Sequence, residues 1–392
     1  MIAPDRDSRR LFSRDAIDHL HSWLINSALN FWCEHGIDKK NGGFYEILSK
    51  QGIPVTTSHR TRCIARQIFA FSKGKDLGWE GPSDALVIHG LHFLEKYLIH
   101  SDGTVITEAN LPNTNFKTDQ DPYDYACVLL ALAQASKQHP NGSQHVNKLA
   151  TKILNRLSEE WRHPDHGFQE DPNIQPFLRA NPHMHLLEAF LAWEESHEGN
   201  KELWKEESDK IAMLAFQKLI NKDTGAIYEF FNQDWTAPIQ AKHRIIEPGH
   251  LFEWSWLLSE WGLRRGNHKA IDYSLNLINL GEKYGVDTNR GLAINTLNED
   301  CSPINFDARL WPQAERIKAW NASLHFANKS SITIEQAERQ LIKAIASLDQ
   351  YFKDMPPGLW HEEIMRNGNP TDSPIRASGL YHLTMAVSTL IK

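Results

Sequence analysis

Apolar residues recur every three to four positions along most of the chain, which is the spacing of one buried face of an α-helix. Long runs of strictly alternating apolar and polar residues, typical of β-strands, are not found. The chain is therefore predicted to be all-α, with about twelve helices. The periodic segments are Ala16–Trp32, Thr61–Phe71, Asp84–Leu98, Tyr125–Ser136, Gln144–Trp161, His185–Glu195, Leu203–Leu219, Leu251–Trp261, Lys269–Tyr284, Gln313–Ala327, Ile334–Tyr351 and Leu380–Leu390.

A short segment that begins with glycine recurs between alternate helices. Most copies follow a turn rich in Asp, Asn or Pro, which predicts a short β-hairpin in the connecting loop. A unit of two helices and one hairpin has to stack on its neighbours to bury its apolar faces. The six copies begin at Gly43, Gly103, Gly167, Gly225, Gly291 and Gly358.

Six such units can form an open solenoid or a closed ring. An open solenoid needs polar capping repeats, whereas the last unit here ends in the apolar helix Leu380–Leu390. We therefore predict an (α/α)6 barrel that occupies residues 1–392 as a single domain. Alternate helices would form an inner ring, and their first turns would surround a central cleft.

The composition is that of a soluble globular protein, with 41% hydrophobic residues, 23% charged residues and a net charge of −7. A basic face is missing, so no nucleic-acid partner is expected. The N-terminal segment lacks the apolar core of a signal peptide, and no window approaches a membrane span. The four scattered cysteines, without a CxxC pair, are typical of reduced thiols in a cytoplasmic protein.

Ionisable residues collect in the first turns of the predicted inner helices. In the segment EPGHLFEW (247–254), Pro248 fits the first helical position. His250 and Glu253 follow three residues apart and so share one face. The positive end of the helix dipole is expected to favour the neutral form of His250. Each such residue also fits a structural role in the core, and it is their repetition that favours a cleft. The other inner helices carry Arg66, His185, Glu188, Trp311, Glu315 and His382.

Two other kinds of site can be compared with this pattern. His183 and His185 suggest a metal pair, but a helix beginning at Asn181-Pro182 would direct the two rings apart. Further ligands at metal-binding spacing are not found. Glycine-rich phosphate loops are also missing, so neither a metal nor a cofactor is expected.

Four segments, at 181–190, 247–258, 311–315 and 380–383, together resemble the N-acylglucosamine 2-epimerase superfamily, and most of all its bacterial mannose isomerase branch. The PGHxxEW element at 248–254 is the most specific of them, and Arg66 adds a weaker match. The resemblance implies a metal-independent, cofactor-free sugar isomerase or epimerase on an (α/α)6 barrel. It also implies a small monosaccharide substrate and a monomer or homodimer.

Carried over residue by residue, the resemblance implies that His250 and His382 are the catalytic acid/base pair. It gives no firm role to Asp124, Glu188 or Arg376. The implied substrate-binding residues are Arg66, Tyr123, Asn181, His185, Arg244, Glu253, Trp311 and Glu315.

The expected reaction is interconversion of D-mannose and D-fructose, with D-lyxose and D-xylulose as a second pair. Histidine suits removal of the weakly acidic C2 proton because its pKa is near neutrality. Cationic or N–H donors would stabilise the cis-enediolate. In this hypothesis His250 moves the proton from C2 to C1, and His382 assists ring opening.

Three alternatives stay open at this point. A 2-epimerase acting on mannose and glucose, or on a β-1,4-linked disaccharide, needs the same residue types, with the second histidine reprotonating C2 from the opposite face. A glycoside hydrolase on the same barrel needs two carboxylates that flank the scissile bond. A non-catalytic sugar-binding protein would bind without turnover.

Overall fold

The computed structural model describes residues 6–56, 58–110, 116–117, 119–138, 140–196, 199–327 and 330–391. Its α-helices are α1 (Arg6–Trp23), α2 (Leu29–His35), α3 (Thr61–Asp76), α4 (Ser83–Phe93), α5 (Pro122–Gln138), α6 (Pro140–Trp161), α7 (Ala180–Glu194), α8 (Lys201–Leu214), α9 (Pro248–Arg265), α10 (His268–Gly285), α11 (Leu310–Ser323), α12 (Ile334–Asp349) and α13 (Ser378–Leu390). Three π-turns, Leu24–Ala28, Leu94–Leu98 and Ala215–Leu219, join α1 to α2 and extend α4 and α8. A short 3₁₀ turn spans Ala241–His243.

Six helices, α3, α5, α7, α9, α11 and α13, form an inner ring. Each packs against the next, and α13 packs against α3, which closes the ring. Five outer helices, α4, α6, α8, α10 and α12, each pack on the inner helix that precedes them, and α1 packs on α13. The predicted (α/α)6 barrel is therefore confirmed.

Short antiparallel strands connect the loops at the mouth of the barrel. Pairing of β1 with β13 joins the first unit to the last, so the ring is closed there as well as through its helices. The other pairs are β2–β3–β4, β5–β6, β7–β8, β9–β10 and β11–β12. The strands are β1 (Ile47–Leu48), β2 (Ser58–Arg60), β3 (Glu108–Asn110), β4 (Phe116–Lys117), β5 (Leu178–Arg179), β6 (Phe230–Phe231), β7 (Val286–Asp287), β8 (Leu292–Ala293), β9 (Thr296–Leu297), β10 (Pro303–Asn305), β11 (Ala308–Arg309), β12 (Glu363–Ile364) and β13 (Ile375–Arg376).

The six repeated glycines share one backbone conformation. Their φ angles run from 67° at Gly167 to 95° at Gly103, a region that residues with a Cβ rarely adopt. At Gly358 a Cβ would also lie only 2.6 Å from the Ser27 carbonyl oxygen. The glycine repeat in the sequence is thus a repeat of one tight turn.

Five of the six inner helices begin earlier than their apolar spacing indicates, whereas α3 begins at Thr61 as predicted. For example, α9 begins at Pro248 although the periodic pattern starts at Leu251. The first turn carries polar residues that face the barrel mouth, so it does not contribute to the apolar pattern. The residues just before the sixth inner helix are not helical. Ile375–Arg376 forms β13, and the helix begins at Ser378.

One apolar core fills the space between and within the rings. Trp193 of α7 is fully buried and stacks on Trp204 of α8, with ring centroids 5.1 Å apart. None of the helices in the described ranges combines the length and apolar character that crossing a bilayer requires.

Candidate active site

A cavity of about 540 Å³ lies at the mouth of the barrel, where the inner helices begin. Its size is in the range of small-molecule sites. All six inner helices, or the residues just before them, contribute side chains. Eight of the ten predicted site residues line it, namely Arg66, Tyr123, Asn181, His185, His250, Glu253, Trp311 and His382.

His250 lies in the first turn of α9 and is held by a carboxylate from the loop before β6. Its Nδ1 lies 2.8 Å from Oε1 of Glu229. The carboxylate of Glu247, one residue before the helix, lies 4.0 Å from the same nitrogen. Because Nδ1 donates to Glu229, Nε2 is the ring nitrogen left for a molecule in the cavity.

These two carboxylates overturn the expected neutrality of His250. Burial alone would lower the pKa of His250, but Glu229 and Glu247 outweigh it and raise this pKa to about 9. The charge of two nearby carboxylates exceeds the partial charge of a helix terminus. His250 is therefore an imidazolium near neutral pH.

His382, on α13, has the opposite electrostatic environment. Burial lowers the pKa of His382 well below its ordinary value, and the charges of Arg66 and Lys318 lower it further. Its Nδ1 lies 2.7 Å from Oε1 of Glu315 on α11. His250 and His382 thus line the same cavity as one protonated and one neutral imidazole.

Trp311 connects the two imidazoles. Its ring centroid lies 4.9 Å from that of His250 and 5.7 Å from that of His382. The indole can approach α9 because residue 249 is glycine. A Cβ there would lie 2.5 Å from the Trp311 ring. The PGH sequence therefore places both the histidine and the surface on which the indole rests.

Arg66 reaches the cavity from α3 between two tyrosines. One guanidinium nitrogen, Nη2, donates to the Tyr123 hydroxyl at 2.6 Å. The guanidinium carbon lies 4.8 Å from the centre of the Tyr381 ring and 5.3 Å from that of Tyr123. Arg66 is only 7% exposed, so its positive charge acts in a region from which water is largely excluded.

His185, on α7, is a further polar residue that lines the cavity. Its ring stacks on Tyr123 with centroids 4.7 Å apart, and Nδ1 lies 3.2 Å from Glu188. The Tyr381 hydroxyl donates to Glu188 from 2.6 Å. Burial lowers the pKa of His185 despite the opposing charge of Glu253, so this ring is neutral.

Buried oxygen atoms of two side chains that line the cavity lack hydrogen-bond partners among the described residues. They are both carboxylate oxygens of Glu253 and the side-chain oxygen of Asn181. A buried polar atom without a partner is costly. These atoms are therefore positioned to accept hydrogen bonds from hydroxyl groups of a ligand.

Two predicted site residues lie elsewhere. Glu315 is fully buried behind His382 and does not line the cavity. Arg244 forms an ion pair with Glu299 and donates to the carbonyls of Pro238 and Ile239. Its guanidinium is thereby engaged in the loop before α9, which does not support the predicted contact with substrate.

Histidines and carboxylates lie close together around the cavity. His183 accepts from the Phe168 N–H and donates to the Arg179 carbonyl, so both of its ring nitrogens are engaged by the backbone. Two groups have metal-like spacing in the described part of the chain, His185–Glu188–Glu253 and Glu229–Glu247–His250. Both already contain internal hydrogen bonds and lie beside the cations Lys318 and Arg309. These contacts do not favour a bound metal ion.

Several residues around the cavity were missed by sequence reasoning. The three that most affect the charges of the site are Glu229, Lys318 and Arg309. The Arg309 guanidinium lies 3.1 Å from Glu247 and 5.5 Å from the Trp311 ring centre. The remaining lining residues are Glu247, Leu310, Glu362, Glu363, Ser373, Pro374, Arg376, Ser378 and Gly379.

The sequence model of the family N-acylglucosamine 2-epimerase (GlcNAc 2-epimerase) matches residues 42–386, which includes the whole cavity. The chain belongs to this family. The N-acylglucosamine 2-epimerase family model thus covers five of the inner helices in full and α13 up to Ala386.

Members of this family align with most of the chain. A mannose-6-phosphate isomerase of Rhizobium meliloti (strain 1021) is 35% identical over 95% of each protein. A D-mannose isomerase of Thermobifida fusca is 26% identical over 74% of this chain and 73% of its own. A crystal structure of a D-mannose isomerase superposes with a TM-score of 0.83 at 19% identity, covering 99% of both chains. The chain is therefore a sugar isomerase or epimerase of this family.

Proposed function

We propose that this protein is an aldose–ketose isomerase that interconverts D-mannose and D-fructose, with D-lyxose and D-xylulose as a second pair, without a metal ion. The observation that carries the proposal is the pair of imidazoles against Trp311, one protonated and one neutral. Two groups whose surroundings move their pKa values apart can act at the same pH, the protonated group as an acid and the neutral group as a base.

In this proposal His382 is the base. Its neutral ring takes the C2 proton of the open-chain aldose and returns it to C1. His250, as imidazolium, donates a proton to the ring oxygen during opening and recovers one from the O1 hydroxyl. It then protonates O1 as the enediolate forms and takes the O2 proton when C1 receives its hydrogen, so that it ends as imidazolium. This division reverses the one expected from the sequence, because Glu229 and Glu247 keep His250 protonated.

The enediolate needs positive charge or N–H donors near O1 and O2. Arg66 is the buried cation of the cavity and is proposed to fill this role. Glu253 and Asn181 are proposed to accept hydrogen bonds from sugar hydroxyls, since both line the cavity and their side-chain oxygens have no hydrogen-bond partner among the described residues. Trp311 offers an apolar face to the sugar C–H groups.

Incubation of the protein with D-mannose in D₂O without added metal tests the proposal. We expect fructose to form, with a fraction of its C1 hydrogen exchanged for deuterium. Glucose as the product would instead identify a 2-epimerase, which the family description makes the second candidate. Cleavage of a glycosidic bond in a disaccharide would identify a hydrolase. Binding without turnover or exchange would contradict every enzymatic candidate.

The named activity of one relative raises a second substrate, mannose 6-phosphate. A phosphate favours a site dominated by arginines or lysines. At the cavity rim Arg309 is already paired with Glu247, and two further carboxylates, Glu362 and Glu363, line the same rim. We therefore propose the free sugar as substrate and expect a higher kcat/KM for mannose than for its 6-phosphate when both are assayed together.

Replacement of Glu229 by glutamine is expected to move the alkaline limb of the pH profile. In the wild type, kcat/KM should fall as pH rises through the pKa of His250, about 9, because the acid is then lost. Without the Glu229 charge, burial lowers this pKa, so the fall begins at lower pH. The measurement is kcat/KM for mannose between about pH 5 and 10.

Glu170→Gln is the matched control, since Glu170 occupies the corresponding place after Gly167 and pairs with Arg179. It should leave the alkaline limb unchanged. If Glu229→Gln instead extends activity to lower pH, His250 is the base and the two histidine roles must be exchanged.

A further inference from the structure

A lysine is buried directly beneath the cavity. Lys318 lies on α11, three residues after Glu315, and its side chain is fully buried. Its Nζ lies 2.5 Å from Oε2 of Glu315 and 3.9 Å from Oε1 of Glu253. The same ammonium lies 4.0 Å from the centre of the Trp256 ring. One cation thus contacts carboxylates from two inner helices.

The surroundings of Lys318 form one buried charge network. Burying an ammonium is unfavourable unless carboxylates compensate it, and an apolar residue often serves stability equally well. Stability alone therefore does not account for a buried lysine at this position. The titratable and charged groups that face this network are Arg66 on α3, His185 and Glu188 on α7, His250 and Glu253 on α9, Glu315 on α11, and Tyr381 and His382 on α13.

Glu315 stands between Lys318 and His382, with one carboxylate oxygen towards each. An ionised Glu315 can only accept a hydrogen bond. His382 then carries its proton on Nδ1 and has a lone pair on Nε2. A protonated Glu315 could instead donate to Nδ1, which would move the histidine proton to Nε2. Only the first tautomer has Nε2 free to take a proton.

We propose that Lys318 is a positioning residue that keeps Glu315 ionised and thereby holds His382 in the tautomer with an unprotonated Nε2. The inference rests on the proposed role of His382 as the base. Lys318 does not touch the substrate, and it sets the tautomer of His382 through Glu315. Its charge also lowers the pKa of His382 directly, so the tautomer separates the two effects where the acid limb alone does not.

The pKa of Glu315 lies close enough to neutral pH for one neighbouring charge to decide whether its carboxyl group is ionised. Burial raises the pKa of Glu315 to about 7, although Lys318 opposes this shift. The nearby carboxylate of Glu188 also raises it. Removal of Lys318 therefore favours protonated Glu315 at neutral pH.

Lys318→Met tests the proposal, since methionine keeps a similar length without charge. The acid limb of kcat/KM for mannose should move to higher pH, so that activity near pH 7 falls by about tenfold for each unit of displacement. Glu253 also loses the charge of Lys318 in this variant, so the change in the pH profile, and not KM, is the kinetic readout. Lys318→Arg retains the charge and should keep the acid limb near its wild-type position.

The tautomer gives a readout that does not depend on turnover. In wild-type protein labelled with ¹⁵N-histidine, the His382 resonances, identified by their loss in His382→Asn, should show a protonated Nδ1 at about pH 8, above the pKa of Glu315. In Lys318→Met they should shift towards protonated Nε2. A wild-type ring protonated on Nε2 would overturn the proposal even if the methionine variant does not fold.

The two proposals fail in different ways. If the wild-type protein does not isomerise mannose, the proposed function fails, and the tautomer measurement still tests Lys318. If the wild type is active but Lys318→Met leaves both acid limb and tautomer unchanged, Lys318 has only a structural role.

Discussion

Replacement of His382 by asparagine should lower kcat for mannose isomerisation by about 10²–10⁴-fold, the range that a positioned general base contributes. Asparagine can still donate to Glu315 from the place of Nδ1, so the hydrogen bond at 2.7 Å has a substitute. It has no group in the place of Nε2 that accepts a proton at neutral pH. The loss should therefore be chemical, with the fold retained.

Two measurements separate this result from a general loss of structure. The thermal midpoint should stay within a few degrees of the wild type, and mannose should still quench the fluorescence of Trp311 or an equivalent reporter of binding. Exchange of the C2 hydrogen with D₂O should disappear together with turnover. Persistent exchange at the wild-type rate would assign the base to another residue, with His250 the first candidate.

How the fold follows from the sequence is clearest at the repeated glycines. Each marks a turn with positive φ, and the number of copies gives the number of units. The apolar spacing adds the two helices of each unit. Both signals are local, so they can be recognised without knowing which helices touch. The closing contact between α13 and α3 is not local, and it was inferred from the lack of polar capping repeats.

The cavity was predictable where its residues lie in the first turns of inner helices. His250, Asn181 and Trp311 belong to that group. Their positions follow from helix geometry once the ring is assumed. Arg244 precedes its helix by four residues, and the loop conformation there directs it to Glu299 instead.

The partners of these residues were harder to find because they come from other units. A regular signal was nevertheless present, since a glutamate follows the repeat glycine by three or four residues in four units. These are Glu46, Glu170, Glu229 and Glu362. In three of them the carboxylate accepts from a side chain just before or within the next inner helix: Arg60, Arg179 and His250.

The charge state of His250 shows the limit of local reasoning. A helix terminus supplies a partial positive charge, which sequence reasoning could place. The opposing carboxylate comes from a residue 21 positions earlier, and its distance of 2.8 Å is a property of the fold. Lys318 was missed for a related reason. A lysine within an apolar helix predicts exposure, and only the neighbouring helices show what it compensates.

Arg66→Met should lower kcat by about 10²–10³-fold, the loss typical of removing one preorganised donor from an oxyanion. The guanidinium is fixed by the Tyr123 hydroxyl and lies beside the Tyr381 ring, so it requires little reorganisation when charge develops on O1 and O2. KM should change less than kcat, because the charge is stronger in the transition state than in the neutral sugar. Steady-state rates of fructose formation over a range of mannose concentrations give both values.

Arg316→Met is the matched control for this substitution. Arg316 is equally buried on an inner helix, but it faces outwards to an ion pair with Glu282 on α10. Its loss leaves a carboxylate unpaired and should lower the free energy of unfolding by about 3–5 kcal/mol. The kcat of the folded fraction should stay near the wild-type value. An equal loss of kcat in both variants would indicate a general effect of removing a buried arginine.

Arg66 has a second effect that its removal should reveal. Its charge is one of the causes that lower the pKa of His382, so Arg66→Met should raise this pKa and move the acid limb of kcat/KM to higher pH. At a pH well above this limb His382 is neutral in both proteins, and the remaining deficit in kcat then measures enediolate stabilisation alone. If the deficit disappears at that pH, Arg66 acts only by keeping His382 neutral, and another group must stabilise the enediolate.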